Sequence, residues 1–359
     1  MSTVSAQPVR GSSPNPDARP PVPEISIVVP IYNEEDVLPA LFQRLYPALD
    51  RLGASYEVLF VNDGSRDQSP ALLAAQFEAR PDTTRVILLS TNYGQHMAIL
   101  AGFQYARGDV LVTLDADLQN PPEEIGALLE KMREGHDYVG SYRRNRQDTL
   151  FRRTASRFLN ALRERITHIR MTDQGCMLRA YSRSIVDAIN SCSEVNTFVP
   201  ALAYTFARRP AEIGVAHAER AAGMSKYSLL KLAQLNFDLM TGFSITPLRA
   251  FTFVGILVSL LSMLAYAVVM VERLISAQSV DEALRAFWDR DILQFFLLGI
   301  TLFGLGLLGE YVGRLYLQVR GRPRYTVDAV LERPRIESAK PVQIAAADAP
   351  AGRGPISRA

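Results

Sequence analysis

Two hydrophobic periods alternate along the first two-thirds of the chain, and a third pattern replaces them near the end. The run Ile25-Ser26-Ile27-Val28-Val29-Pro30 is β-branched and closed by proline, which predicts a strand. A helical period follows from 34 to about 52. Residues 57–61 predict a second strand, stopped by the turn signal Asn62-Asp63-Gly64-Ser65. Helices near 68–79 and 95–106 then alternate with strands at 85–89 and 110–114. Such alternation predicts a mostly parallel sheet covered on both faces, an α/β fold whose ligands sit beyond the carboxyl ends of the strands. The acidic clusters at 62–67 and 115–117 both fall at such ends.

The third pattern is unbroken. Residues 250–271 are 22 consecutive uncharged, mostly apolar positions, and 292–309 are 18 more. Both approach the ~20 residues that cross a bilayer as helix. The chain therefore reads as a membrane protein with a two-span domain at 250–313. Glycines at 299, 304, 306, 309 and 313 predict close packing of the second span. Arg249 precedes the first span, and Arg314, Arg320, Arg322 and Arg324 follow the second, which places both flanks in the cytoplasm with a short outer loop between. An apolar-patterned stretch within 226–249 predicts an interface helix. From Arg143 to Arg170, nine arginines stand against Asp148 and Glu164, a local excess of +7, with Phe151, Phe158, Leu162, Ile166 and Ile169 at near-helical spacing. A solvated helix would show this pattern; the neighbouring spans favour an amphipathic helix on anionic lipid. Residues 1–23 read as a flexible leader without a secretory signal, 24–225 as the main domain, and 314–359 as a cytoplasmic segment disordered toward its end.

Composition narrows the functional classes. The chain has 359 residues, with 39 basic against 37 acidic, a net +2. That balance excludes a wholesale basic binder, so no nucleic-acid partner is expected, and it excludes an acidic disordered chain. Two cysteines, Cys176 and Cys192, form no disulfide framework, and four histidines offer no zinc spacing. Within the α/β domain at 24–225 no Gly-x-Gly-x-x-Gly follows a predicted strand, and no P-loop motif is present.

The sharpest chemical feature is Leu114-Asp115-Ala116-Asp117-Leu118-Gln119, directly after a strand. Alternating carboxylates with an amide oxygen suit a hard cation, Mg²⁺ or Mn²⁺, which commonly works on a diphosphate. The bland alternative is helix capping by the aspartates. A second feature pairs Pro30-Ile31-Tyr32-Asn33-Glu34-Glu35 with Asn62-Asp63-Gly64-Ser65. Asp63 could accept hydrogen bonds from a nucleobase or ribose, or it could simply be a turn residue.

The segments "ISIVVPIYNEE", "EVLFVNDGSRDQS", "NYGQHMAILAGFQYARGD" and "LDADLQNPPEEI" resemble the inverting, metal-dependent glycosyltransferases of family 2, and among them the polyprenyl-phosphate glycosyltransferases. The likeness covers roughly 25–325. "NRQDTLFRRTASRFLN", "DQGCMLRAYSRSIVDAI" and "HAERAAGMSKYS" are most similar to the branch that moves 4-deoxy-4-formamido-L-arabinose onto undecaprenyl phosphate, in lipid A modification and resistance to cationic peptides such as polymyxin. The resemblance implies a GT-A fold, a UDP-sugar donor, a catalytic domain facing the cytoplasm at a bacterial inner membrane, and a homo-oligomer, a homotetramer in similar enzymes. It implies that Asp115, Asp117 and Gln119 surround the metal and that Pro30, Tyr32, Glu34 and Asp63 line the nucleotide pocket with Asp115. Arg143 and the Arg220/Lys226 loop would lie near phosphates, and Asp173 would approach the sugar or acceptor.

Chemistry supports this assignment. A polyprenyl phosphate is already an anionic nucleophile, so the hard tasks are holding two negative substrates together and stabilising the leaving UDP. Arg143, Arg152, Arg220 and Lys226 are candidate phosphate contacts, each with a surface salt bridge or headgroup contact as its alternative. Asp173 either takes a site role or caps the turn before Gly175. His96 and His217 are weaker candidates, and Cys176 is expected to pack. Two other functions stand beside this one: transfer of a hexose by the same chemistry, and a non-catalytic membrane scaffold, against which the intact Asp115, Asp117 and Gln119 argue. A processive polysaccharide synthase lacks its Gln-x-x-Arg-Trp motif here.

Overall fold

In a computed structural model, residues 22–144, 164–167, 169–192, 194, 198–216, 237–238, 240–275 and 290–333 are described. Residues 1–21 of the predicted leader, 145–163 of the arginine-rich stretch with Arg152, the residues His217, Arg220 and Lys226, 276–289 of the outer loop and the tail beyond 333 lie outside them. The chain divides into Pro23–Glu332 and a unit of the two ends, of which only Val22 and Arg333 are described.

Strand β1 (Ile25–Ile31) sends Ile27, Val29 and Ile31 into one core and Val28 into another, which is why it reads as a continuous apolar run. It pairs in parallel with β2 (Tyr56–Asn62) and β4 (Val110–Thr113), and β2 pairs in parallel with β3 (Thr84–Leu89). Helices α1 (Leu38–Asp50), α2 (Ser69–Ala79) and α4 (Ile125–Arg133) supply one core; α3 (Gln95–Tyr105), α5 (Arg183–Ser191) and α6 (Val199–Phe206) supply the other. A Cβ on Gly102 of α3 would stand 2.3 Å from Val28 Cγ1, so only glycine lets α3 lie this close to β1.

The full sheet has the order β7-β5-β6-β4-β1-β2-β3-β8, with β5 (Tyr138–Arg143), β6 (Arg179–Ser182), β7 (Pro210–Val215) and β8 (Val327–Leu331). The parallel expectation holds for β1–β4; β6 runs antiparallel between β4 and β5, and β8 antiparallel along β3. Helix α1 begins four residues later than its hydrophobic period suggested, because 34–37 form a turn in which Glu34 O accepts the N–H groups of Val37 and Leu38.

Helices α7 (Thr246–Ile275) and α8 (Arg290–Val319) are 30 residues each. Within α8, Leu297–Val319 is long and apolar enough to cross a membrane; the described apolar stretch of α7, Thr246–Val258, is shorter. Of the five glycines expected at a helix contact, Gly304 alone meets a neighbour among the described residues. A Cβ there would lie 2.2 Å from the Phe251 ring, whereas Gly299, Gly306, Gly309 and Gly313 meet nothing within 4 Å among the described residues. At the lower end of α8, Arg314 pairs with Glu310 at 2.7 Å and Asp238 at 3.3 Å, and Tyr311 Oη donates to Ser244 O at 2.7 Å.

The segment after α8 does not trail away as a tail from its start. Seven residues, 320–326, return the chain to the sheet, where β8 covers the edge of β3. Leu331 packs on the first core, and Glu332 takes Arg85 at 2.7 Å and Arg107 at 2.6 Å. Arg85 also pairs with buried Glu57 at 2.9 Å, so the end of β8 closes a cluster of alternating charges at the amino end of the sheet.

Candidate active site

The loops after β1 and β2 are laced together. Ser65 Oγ accepts the Asn33 N–H at 3.0 Å, Asn33 Oδ1 accepts the Arg66 N–H at 2.9 Å, Asp67 Oδ2 accepts the Glu35 N–H at 3.1 Å, and Ser69 Oγ accepts the Glu34 N–H at 3.0 Å. Asn33 adopts φ +54°, a left-handed conformation that asparagine tolerates. Pro30 thus sits inside β1, while Tyr32 projects 45% exposed from a loop that its neighbours fix.

Asp63 is buried and works as a clamp. Its two carboxylate oxygens accept the N–H groups of Tyr93 and Gly94 at 2.7 and 2.8 Å, joining the β2 loop to the turn before α3. Burial pushes its carboxyl up, against the pull of those two donors. Gly64 beside it has φ +66°, and a Cβ would fall 2.5 Å from the Thr91 carbonyl carbon. This turn therefore needs glycine twice over, for its conformation and for its contact.

These loops open a cleft of about 420 Å³ at the carboxyl ends of β2 and β3, lined by Tyr32, Asn62, Arg66, Ser90, Asn92 and Asp328 among others. Of these, the sequence pointed to Tyr32 alone as a site residue. Asn62 is buried, and its Oδ1 has no hydrogen-bond partner among the described residues.

Asp115 and Asp117 lie just past β4, where Leu114 N–H still bonds to Val28 O. Gln95 Nε2 donates to Asp115 Oδ1 at 2.5 Å. The packing around Asp115 and the charge of Asp117 push its carboxyl up to about 7, with Glu34 adding to the rise and Arg179 opposing it. Asp117 Oδ1 accepts the Gln119 backbone N–H at 3.1 Å in a local turn, and the helical turn that follows at Pro122–Glu124 has no side-chain cap, so neither aspartate caps it. Between them Leu118 takes φ +58°, a conformation costing a branched side chain about 1–2 kcal/mol. Strain of this kind concentrates at functional loops. Two crowded carboxylates with an amide nearby fit a hard divalent cation. Among the described residues no group of three or more His, Cys, Asp or Glu forms a metal cage. The remaining ligands would then be substrate phosphates or water, as is usual for Mg²⁺.

Arg143 and Asp173, read separately from sequence, form one bidentate pair, Nε to Oδ2 at 2.6 Å and Nη2 to Oδ1 at 3.0 Å. Asp173 Oδ1 also accepts the Gly175 N–H at 3.0 Å, so the turn-capping alternative holds as well. Below them Arg179 is fully buried, donating to Cys176 O at 2.8 Å, Asp173 O at 2.6 Å and Tyr138 Oη at 2.5 Å. It is a fixed positive charge under the acidic loop, with no motif in the sequence to mark it. Cys176 is buried packing, as expected. The ring of His96 stacks edge-on to Phe198 at 4.9 Å, and burial pushes it down to about 4, so it is neutral at physiological pH.

Comparison with known proteins follows the same outline. Residues 26–189 match the family described as glycosyl transferase family 2. The chain is 47% identical over 319 residues to the undecaprenyl-phosphate 4-deoxy-4-formamido-L-arabinose transferase of Klebsiella pneumoniae (strain 342), covering 89% of this chain and 97% of that one. It is likewise 47% identical over 322 residues to the protein of the same name from Sodalis glossinidius (strain morsitans), covering 90% and 98%. Among solved structures, glucosyl-3-phosphoglycerate synthase from Mycobacterium tuberculosis, in complex with Mn²⁺ and UDP, is 20% identical over 61% of this chain and 78% of that chain, with a TM-score of 0.42. With near-complete coverage of relatives that share almost half its residues, the chain belongs to glycosyl transferase family 2 and is a glycosyltransferase.

Proposed function

We propose that the protein transfers 4-deoxy-4-formamido-L-arabinose from a UDP donor to undecaprenyl phosphate, with inversion, at the cytoplasmic face of a bacterial inner membrane. The observation that carries the chemistry is the crowded Asp115–Asp117 pair at the carboxyl end of β4, on the same edge of the sheet as the cleft at Tyr32. The sugar and lipid come from the names of relatives 47% identical over nearly the whole chain.

In this reading Tyr32 and Asn62 hold the nucleoside, and Asp63 acts through the loops it ties together. Asp115, Asp117 and Gln119 hold Mg²⁺ or Mn²⁺, which when bound neutralises charge on the departing diphosphate. A phosphate oxygen of the lipid forms the new bond to the anomeric carbon. The old bond to the diphosphate oxygen breaks, and UDP leaves with the electron pair. No base is needed, since the nucleophile is already ionised, and Asp173 accordingly serves as a positioning residue that holds Arg143. Arg179 offsets the negative charge of the acidic loop from below. Arg220 and Lys226, outside the described residues, keep the phosphate-binding role that the resemblance implies. Helices α7 and α8 hold the site at the headgroups, and the apolar groove of about 590 Å³ between them, lined by Phe251, Val254, Ile300 and Phe303, faces the lipid.

The test is a donor panel with the full chain, undecaprenyl phosphate and Mg²⁺ or Mn²⁺, with lipid products identified by mass spectrometry. Product from UDP-formamido-arabinose alone supports the assignment; product from UDP-glucose or another hexose keeps the mechanism and replaces the sugar. Asp117→Ala should cut turnover at least ~10³-fold without unfolding the protein. Retained turnover in that variant would remove the metal role.

A further inference from the structure

The strand that follows the membrane helix reaches the donor cleft. β8 runs antiparallel to β3, so its first residues lie at the carboxyl end of the parallel strands, where the cleft opens, and its last residues lie at the opposite end. The register places Ala329 opposite Leu88 and Val327 opposite Leu89, leaving Asp328 without a partner position on β3. Asp328 is thus the extra residue of a β-bulge on an edge strand, a feature that turns a side chain out of the alternation of its neighbours. It is exposed and lines the cleft with Tyr32 and Asn62.

The strand is fixed at both ends. Ser90 N–H bonds to Thr326 O at 3.0 Å beside the cleft, and Tyr325 Oη donates to Gln104 Oε1. At the far end Glu332 is held by Arg85 and Arg107. A carboxylate held on a fixed wall accepts hydrogen bonds and donates none. Of the parts of a nucleoside diphosphate, the ribose offers it two neighbouring hydroxyl donors, the pairing that dinucleotide-binding folds use for a ribose 2′-hydroxyl. The diphosphate would be repelled.

We infer that Asp328, delivered by the strand after the membrane helix, is a donor-binding residue that accepts hydrogen bonds from the ribose hydroxyls of the nucleoside diphosphate. This rests on the UDP-donor reading above. The catalytic cleft is then completed by a segment lying beyond the span in sequence, and seven residues couple the membrane helix to donor binding.

Calorimetric titration of UDP into the full chain in detergent with Mg²⁺ tests it, using Asp328→Ala, Asp328→Asn, and UDP lacking the 2′- or the 3′-hydroxyl. Both variants should weaken UDP binding about tenfold while melting with the wild type. Loss of one ribose hydroxyl should cost the wild type about tenfold and the Asp328→Ala variant less than about twofold. Unchanged UDP affinity in both variants, or an equal penalty for the deoxy ligands in wild type and variant, overturns the proposal and leaves the glycosyltransferase reading intact. A wild type that transfers sugar from a donor other than a uridine nucleotide and binds no UDP overturns the donor reading and this inference with it.

Discussion

The sheet body and the helix pair use the same apolar residues and treat them in opposite ways. Val28, Leu59 and Phe60 are wholly buried between the sheet and its helices, whereas Phe253 of α7 is 70% exposed and Val319 of α8 is 77% exposed. In the body, the burial that stabilises the fold is completed within the chain. In the helices it is left to the surroundings, and an exposed apolar surface of that extent marks contact with something apolar. The same residue types are thus covered by the chain itself in the body and left uncovered by it in the helices.

The largest effect that would sharpen this contrast comes from the same kind of truncation made in each region. Phe60→Ala should destabilise the body by about 3–5 kcal/mol, while Leu305→Ala should change the melting of that body by less than about 0.5 kcal/mol. Equal losses in thermal unfolding would break the comparison. Next, Leu305→Asp should leave the sheet folded but oppose helix insertion by about 3 kcal/mol, read as a shift of the protein from membrane to soluble fractions. Unaltered membrane partition would mean that α8 meets no hydrocarbon at this face. The smallest effect is expected where the two regions join. Glu332→Gln removes the carboxylate between Arg85 and Arg107, and since Glu332 is partly exposed the cost should be about 1 kcal/mol. Hydrogen exchange should rise in β8 and along the β3 edge first; protection unchanged there would show that the strand does not depend on this anchor.

The body was largely legible in the sequence because burial writes itself into period. Strands β1–β4 are β-branched runs ended by turn residues, and Asp115 and Asp117 stand out because a strand precedes them. Hydrogen-bond partners are not written that way. The sequence marks Asp63 as a candidate pocket residue but does not show that its carboxylate also grips two N–H groups 30 and 31 residues on. Arg143 and Asp173 stand 30 residues apart, and nothing in the sequence says that they form one ion pair. The lacing of Ser65, Asp67 and Ser69 to the β1 loop is invisible until the sheet brings the two loops side by side. Strand β8 is illegible for a related reason: five residues with three half-buried apolar side chains and an exposed aspartate look like a tail unless the β3 edge is known to be waiting.

That waiting edge has a consequence for how the protein is made. Some 240 residues separate β3 from the strand that covers it, which at ribosomal speed is on the order of 10–50 s of synthesis. For that interval the β3 edge is open to wrong partners, the usual hazard of an unpaired strand. It is closed only after α8 has emerged and delivered β8. The sheet is thus finished last, by a strand that must follow α8 out of the ribosome.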